Sequence, residues 1–185
     1  MRVFIGIDIE DRVRNSIAEI QSIVKEKSKK GRFKYPGNFH ITLKFLGDIS
    51  REDITIIDEV LEDCSDNYRN FCLGIDEMGC FRRGDSIHAL WLGFGSGVSM
   101  LKALQNYIEE KLELKGFKRE TRPYTPHITI AQALILRGAF EDLKKEVLLD
   151  TISSIEVKDF SLIKSEQVKG KRIYTPISTY KLLTL

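Results

Sequence analysis

The chain has 185 residues, 42% of them hydrophobic and 30% charged, with 29 Lys and Arg against 27 Asp and Glu for a formal net charge of +2. That length suits one domain or one compact pair of lobes around a real core. The balanced charge excludes a histone-like or acidic-tail protein but allows local basic patches, and no apolar run approaches the roughly 18 residues of a membrane span.

The N-terminal MRVFIGIDIED reaches Asp8 after a short apolar stretch, too short for a signal peptide, and reads as a strand over 2–8. Val13, Ile17, Ile20 and Val24 follow helical spacing. The basic run Lys25–Lys34 (KEKSKKGRFK) is expected to be a solvated loop. A strand over 40–46 comes next, then a helix carrying Ile54, Ile57 and Leu61, with Ser50 as N-cap and Asp53 three residues on. Runs at 71–78 and 87–94 read as strands, turning at Arg82-Arg83-Gly84-Asp85. Leu101, Leu104, Ile108 and Leu112 predict a helix, followed by a second basic stretch, Lys115–Arg122 (KGFKRETR). Beyond it lie a strand over 127–133, a helix on Leu136, Phe140, Leu143 and Val147, and strands over 155–164 and 173–183 with a turn at Lys169-Gly170-Lys171. Cys64, Cys72 and Cys80 form no CxxC pair, which argues against a disulfide scaffold or a cysteine zinc site and fits a reducing, cytoplasmic compartment.

The chain repeats itself. His40-Ile-Thr-Leu43 and His127-Ile-Thr-Ile130 lie 87 residues apart, and at that offset Pro36 meets Pro123, Gly6 meets Gly93, and Val3–Ile7 faces Leu90–Phe94. The two helices built on Val13 and Leu101 fall on matched stretches, as do the next two. This predicts one α+β domain over 1–185, made of two pseudo-symmetric lobes from an internal duplication. Each lobe is an antiparallel sheet with helices outside, and a groove lies between them. The third histidine, His88, has no Thr partner and reads as structural or surface.

Alternate residues of a strand face opposite ways. His40, Thr42 and Lys44 should therefore share one face, with Ile41, Leu43 and Phe45 on the other; His127 and Thr129 repeat the arrangement. A pseudo-dyad would bring two imidazoles and two hydroxyls together. Such a set suits a phosphate or cyclic phosphate, with hydroxyls donating to its oxygens, Lys44 adding charge, and one imidazole accepting a proton while the other gives one. In-line displacement at phosphorus needs base and acid on opposite sides. No metal or cofactor is signalled. The basic stretches flank both mouths of the groove and would hold a polyanion's backbone. Tyr35, Tyr124 and Phe39 are placed to stack on a base, and core packing is an equal reading for Phe39.

The strings Pro36-Gly-Asn-Phe-His-Ile-Thr-Leu-Lys-Phe-Leu-Gly47 and Arg122-Pro-Tyr-Thr-Pro-His-Ile-Thr-Ile-Ala131 resemble the two-histidine (2H) phosphoesterase superfamily. Within it they are similar to the bacterial and archaeal LigT-like RNA 2′,3′-cyclic phosphodiesterases, historically called 2′-5′ RNA ligases. Arg2–Asp8 and Gly170–Tyr174 extend the resemblance over nearly the whole chain. The resemblance implies metal-independent hydrolysis of an RNA 2′,3′-cyclic phosphate to a 2′-phosphate, and, in reverse, 2′-5′ joining. It casts His40 as proton donor, His127 as proton acceptor, and Thr42 and Thr129 as phosphate-binding. Lys44 is expected at the phosphate, and Tyr35, Arg122 and Tyr124 at the RNA. The expected partner is RNA with cyclic-phosphate ends, tRNA fragments included, acted on by a monomer without metal or membrane. Where many relatives have an arginine five residues after the second histidine, this chain has Gln132, and Lys44 or Arg122 would have to compensate. Two other readings are an RNA-end-binding module without turnover, and the same fold acting on a small nucleotide such as an ADP-ribose cyclic phosphate.

Overall fold

In the computed structural model, which describes residues 1–84 and 86–184, the apolar faces of strands and helices close into two four-stranded antiparallel sheets backed by helices. Asp85 of the expected hairpin turn lies outside the described residues. In chain order the elements are β1 (Arg2–Asp8), α1 (Asp11–Glu26), β2 (Ser28–Phe33), a 3-10 turn at Pro36–Asn38, β3 (His40–Asp48) and α2 (Glu52–Asn67). There follow β4 (Phe71–Leu73), β5 (Ile75–Arg83), β6 (Ser86–Phe94), α3 (Val98–Leu114), β7 (Ile128–Leu136) and α4 (Phe140–Glu146). A 3-10 turn at Leu149–Thr151 precedes β8 (Ile155–Val157), β9 (Asp159–Val168) and β10 (Lys171–Lys181). One sheet runs β10-β9-β1-β3, the other β2-β7-β6-β5, and β4 and β8 form a small ribbon.

The helical stripes do what their spacing requires. Val13, Ile17, Ile20 and Val24 of α1 are buried, as are Leu101, Leu104, Ile108 and Leu112 of α3, each contributing about 1.5–3 kcal/mol. Ser50 caps α2 as expected: its Oγ accepts from the Asp53 amide at 3.2 Å, and its own amide donates to Asp53 Oδ2 at 2.8 Å. At the β9–β10 turn, Lys169 and Gly170 both have positive φ (48° and 78°), the geometry a tight hairpin demands. The two-lobed α+β architecture is the expected one, with β1, α1, β3 and α2 followed in the same order by β6, α3, β7 and α4.

Several boundaries differ from the sequence reading. Residues 28–33 are strand β2 rather than loop, and they pair with β7 of the other half. Alternation could not reveal it, because an edge strand needs only backbone pairing and its lysines keep the free edge soluble. β7 continues to Leu136, so the helix expected there begins at Phe140. The runs at 71–78 and 155–164 each break into two strands.

A second repeat is visible only in the register. In β1–β3, Ile5 pairs with Lys44 and Gly6 with Thr42, leaving Leu43 as an extra residue. In β6–β7, Leu90 pairs with Ala131 and Trp91 with Thr129, leaving Ile130 extra. Leu43 and Ile130 are again 87 residues apart, so the bulge belongs to the duplicated unit.

Candidate active site

β3 and β7 approach each other at the seam between the sheets. His40 and Thr42 stand on one strand; Thr129 is the second residue of the other, and His127 immediately precedes that strand rather than opening it as expected. The Tyr124 hydroxyl ties the two sides together by donating to the Thr42 carbonyl at 2.8 Å. Both imidazoles are half-buried, and each is anchored in the same way. His40 Nδ1 lies 2.8 Å from the Asn38 carbonyl and His127 Nδ1 lies 2.6 Å from the Thr125 carbonyl, two residues upstream in both cases. A carbonyl only accepts, so each Nδ1 carries the proton and leaves Nε2 free for chemistry.

Aromatic rings fix the imidazole planes. Phe4 lies 4.8 Å from His40 and Tyr174 meets it edge-on at 5.0 Å. Trp91 lies 5.9 Å from His127 and Phe81 meets it edge-on at 5.3 Å. Phe4 and Trp91 are equivalent at the 87-residue offset. Trp91 has room because position 79 is glycine: a Cβ there would come within 2.2 Å of the indole ring. Sequence reasoning placed Phe4 and Trp91 in matched apolar runs without seeing their role. The signal available was that each stands two residues before a glycine on a strand expected beside a His-x-Thr strand.

Burial pushes the His40 pKa down to about 4, with the Lys34 ammonium and the His127 ring adding to it; the Asn38 carbonyl and Asp8 act in the opposite direction. Burial also lowers His127, opposed by its bond to the Thr125 carbonyl. In the free protein both imidazoles are neutral at pH 7.

Lys44 is a correction. The bulge at Leu43 turns its side chain into the interior, where it is 3% exposed and bonded to Glu109 Oε2 at 2.5 Å and to the Lys118 carbonyl at 2.8 Å. Phe45, expected in the core, is 70% exposed instead, near Phe4. One extra residue reverses every face beyond it. By the same device, Ala131 is buried while Gln132 is half-buried across from Ala89. Arg122 is exposed and held by Glu120, with Nε to Oε1 at 3.1 Å and Nη2 to Oε2 at 2.7 Å. Tyr124 packs against the core with its hydroxyl engaged, and Phe39 is buried, so neither ring is a free platform. Tyr35 is 73% exposed. His88 is exposed on β6. Among the described residues no three His, Cys, Asp or Glu side chains gather as metal ligands, and no helix is long and apolar enough to cross a membrane.

Two sheets from repeated halves, with a His-x-Thr strand from each at the seam, define a class, and the comparison with known sequences agrees. The profile of the 2′-5′ RNA ligase superfamily matches residues 9–169, and the chain belongs to that superfamily. Among its relatives, the RNA 2′,3′-cyclic phosphodiesterase of Methanocaldococcus jannaschii is 34% identical over 91% of this chain and 89% of its own. That of Methanothermobacter thermautotrophicus is 28% identical over 98% and 99%. The apo structure of Escherichia coli LigT matches with a TM-score of 0.78 at 26% identity, covering 98% of this chain and 97% of that one. The LigT complex with 3′-AMP matches with a TM-score of 0.82 at 24% identity over the same shares, a likeness of fold.

Proposed function

We propose that the protein hydrolyses 2′,3′-cyclic phosphate ends of RNA to 2′-phosphates by two-histidine acid–base catalysis, residues 1–185 acting as one bilobal unit. The observation that carries this reading is the matched pair of imidazoles, each with Nδ1 bound to a carbonyl two residues upstream and Nε2 left free. His127 Nε2 takes a proton from water as the water oxygen attacks phosphorus. The P–O3′ bond breaks, and O3′ receives the proton carried by His40 Nε2. The Thr42 and Thr129 hydroxyls donate to the non-bridging oxygens as charge builds there. With an RNA 5′-hydroxyl in place of water as the nucleophile, the same steps join it to the cyclic end in a 2′-5′ linkage: His127 Nε2 takes the hydroxyl proton, the P–O3′ bond breaks, and O3′ receives the proton from His40. Three unpaired cysteines fit a reducing cytoplasm.

The donor role of His40 accords with its depressed pKa: the protonated form is scarce at neutral pH and is a strong acid once formed. A substrate with sulfur in place of the bridging 3′ oxygen tests the assignment, because a departing thiolate needs no proton. His40→Ala should lose roughly 10²–10⁴-fold on the oxygen substrate and recover most of it on the sulfur one, whereas His127→Ala stays impaired on both. Rescue of His127→Ala alone would exchange the two roles. Binding of the cyclic-ended RNA with no turnover by the unaltered protein would replace this reading with that of an RNA-end-binding module.

A further inference from the structure

The two cations that sequence reasoning offered in place of an arginine at Gln132 are both occupied, Lys44 by Glu109 and Arg122 by Glu120. Another group of cations is not paired in this way among the described residues, where its one side-chain bond runs from Arg172 Nη1 to Ser165 Oγ at 3.4 Å. Arg32 on β2 stands directly across the strand pair from Gln132. Lys34 follows two residues later on the same edge, its amide bonded to the Ile130 carbonyl at 3.0 Å and its carbonyl accepting from Gln21 at 2.8 Å. Arg172 is the second residue of β10, and its carbonyl accepts from Asn38 Nδ2 at 2.9 Å; the Asn38 carbonyl in turn holds His40.

Two segments distant in the chain thus bring three positive charges to one side of His40. They are close enough that Arg172 and Arg32 both depress the Lys34 pKa, after burial. None of the three has a carboxylate partner among the described residues. The acidic group felt at His40 is Asp8, already bonded to Arg14 at 2.9 Å. Like charges crowded without a counter-ion are unfavourable in the empty protein, and they become favourable when an anion is bound between them. The reacting phosphate is served by the two histidines and two hydroxyls, so this charge is available for another phosphate.

We propose that Arg32, Lys34 and Arg172 form a second phosphate subsite, which takes the 5′-phosphoryl group of the nucleotide that carries the cyclic phosphate. In RNA that group is the linkage to the preceding nucleotide, so the subsite makes the enzyme select a cyclic end borne on a chain over an isolated nucleoside cyclic phosphate. Arg32 stands across from Gln132 on the neighbouring strand. The inference rests on the cyclic phosphodiesterase reading of the neighbouring site.

The smallest test compares cytidine 2′,3′-cyclic phosphate with its 5′-phosphorylated form. The unaltered protein should favour the phosphorylated substrate in kcat/KM by about tenfold or more, the scale of one charge-assisted contact. In Arg32→Gln/Arg172→Gln, two exposed positions, the preference should shrink to within about twofold. No preference in the unaltered protein, or a preference that persists in the double variant, overturns the proposal. A binding comparison separates failure of the subsite from failure of catalysis. Adenosine 3′,5′-bisphosphate should bind more tightly than adenosine 3′-monophosphate, and the difference should vanish in the same variant. If neither cyclic substrate is turned over, the catalytic reading fails, and this binding pair still decides the subsite.

Discussion

Burial, with the Lys34 ammonium beside it, keeps His40 neutral down to about pH 4 in the folded chain, against 6.5 for a free imidazole. Between those values the unfolded chain binds a proton that the folded one refuses, so stability falls as the pH drops from 6.5 towards 4, by about 3 kcal/mol at most. Denaturant unfolding at pH 7 and pH 4.5 should give a smaller loss for His40→Asn than for the unaltered protein, and equal losses would contradict this account of the imidazole. The same shifts bear on the proposed two-histidine catalysis, in which one imidazole must be charged and the other neutral: both are lowered, so kcat/KM should trace a bell with its maximum below pH 6.5. A bound phosphate anion favours the imidazolium, so the kcat optimum should lie at higher pH. A kcat/KM profile flat from pH 5 to 9 would rule out two-histidine catalysis.

Among the elements, the bulge in β3 has the largest consequence, because it decides which side chains reach the groove. It sends Lys44 inward to Glu109 of α3, whose other oxygen accepts from Gln105 at 3.3 Å. A buried pair of this kind is costly to break and inexpensive to replace whole. Lys44→Met alone should lose about 3–5 kcal/mol by leaving the Glu109 carboxylate unpaired, whereas Lys44→Met/Glu109→Leu should recover most of that in a thermal or denaturant melt. Activity retained by the folded double variant would fit a structural lysine, while a large rise in KM would restore Lys44 to the phosphate. β2 matters in another way, since its pairing with β7 holds Arg32 opposite Gln132.

At the scale of the molecule, the duplicated halves are not independent lobes. The first sheet is completed by β9 and β10 from the C-terminal end, and the second takes β2 from the N-terminal half. Separated near residue 85, each half would leave the other's sheet short of strands and expose apolar faces that now lie in a shared core. Fragments 1–85 and 86–185 should each lack cooperative unfolding by circular dichroism, and mixing them should restore both the transition and hydrolysis. A cooperative melt from either fragment alone would show a more autonomous lobe.

Periodicity and repetition made much of this legible. The apolar stripes of α1 and α3 predicted burial correctly because any partner surface satisfies an amphipathic helix. The repeated His-Ile-Thr marked the seam because core packing alone gives no reason for two identical polar faces. Alternation failed at Lys44 and Phe45, where one inserted residue reversed the faces; the sequence carries no mark of the insertion, since Leu43 and Ile130 suit a strand with or without a bulge. Arg32 and Lys34 read only as members of a basic stretch and Arg172 as part of a C-terminal string, and what sets the three apart is a neighbourhood created by pairing across about a hundred residues or more. Local pattern, being a property of neighbours in the chain, was enough for the fold class and for the family, and it singled out the repeated His-x-Thr strings as the candidate chemistry-bearing residues. Register and the crossing of strands between lobes are long-range backbone properties, and they alone decided which cations face the groove and which are spent inside.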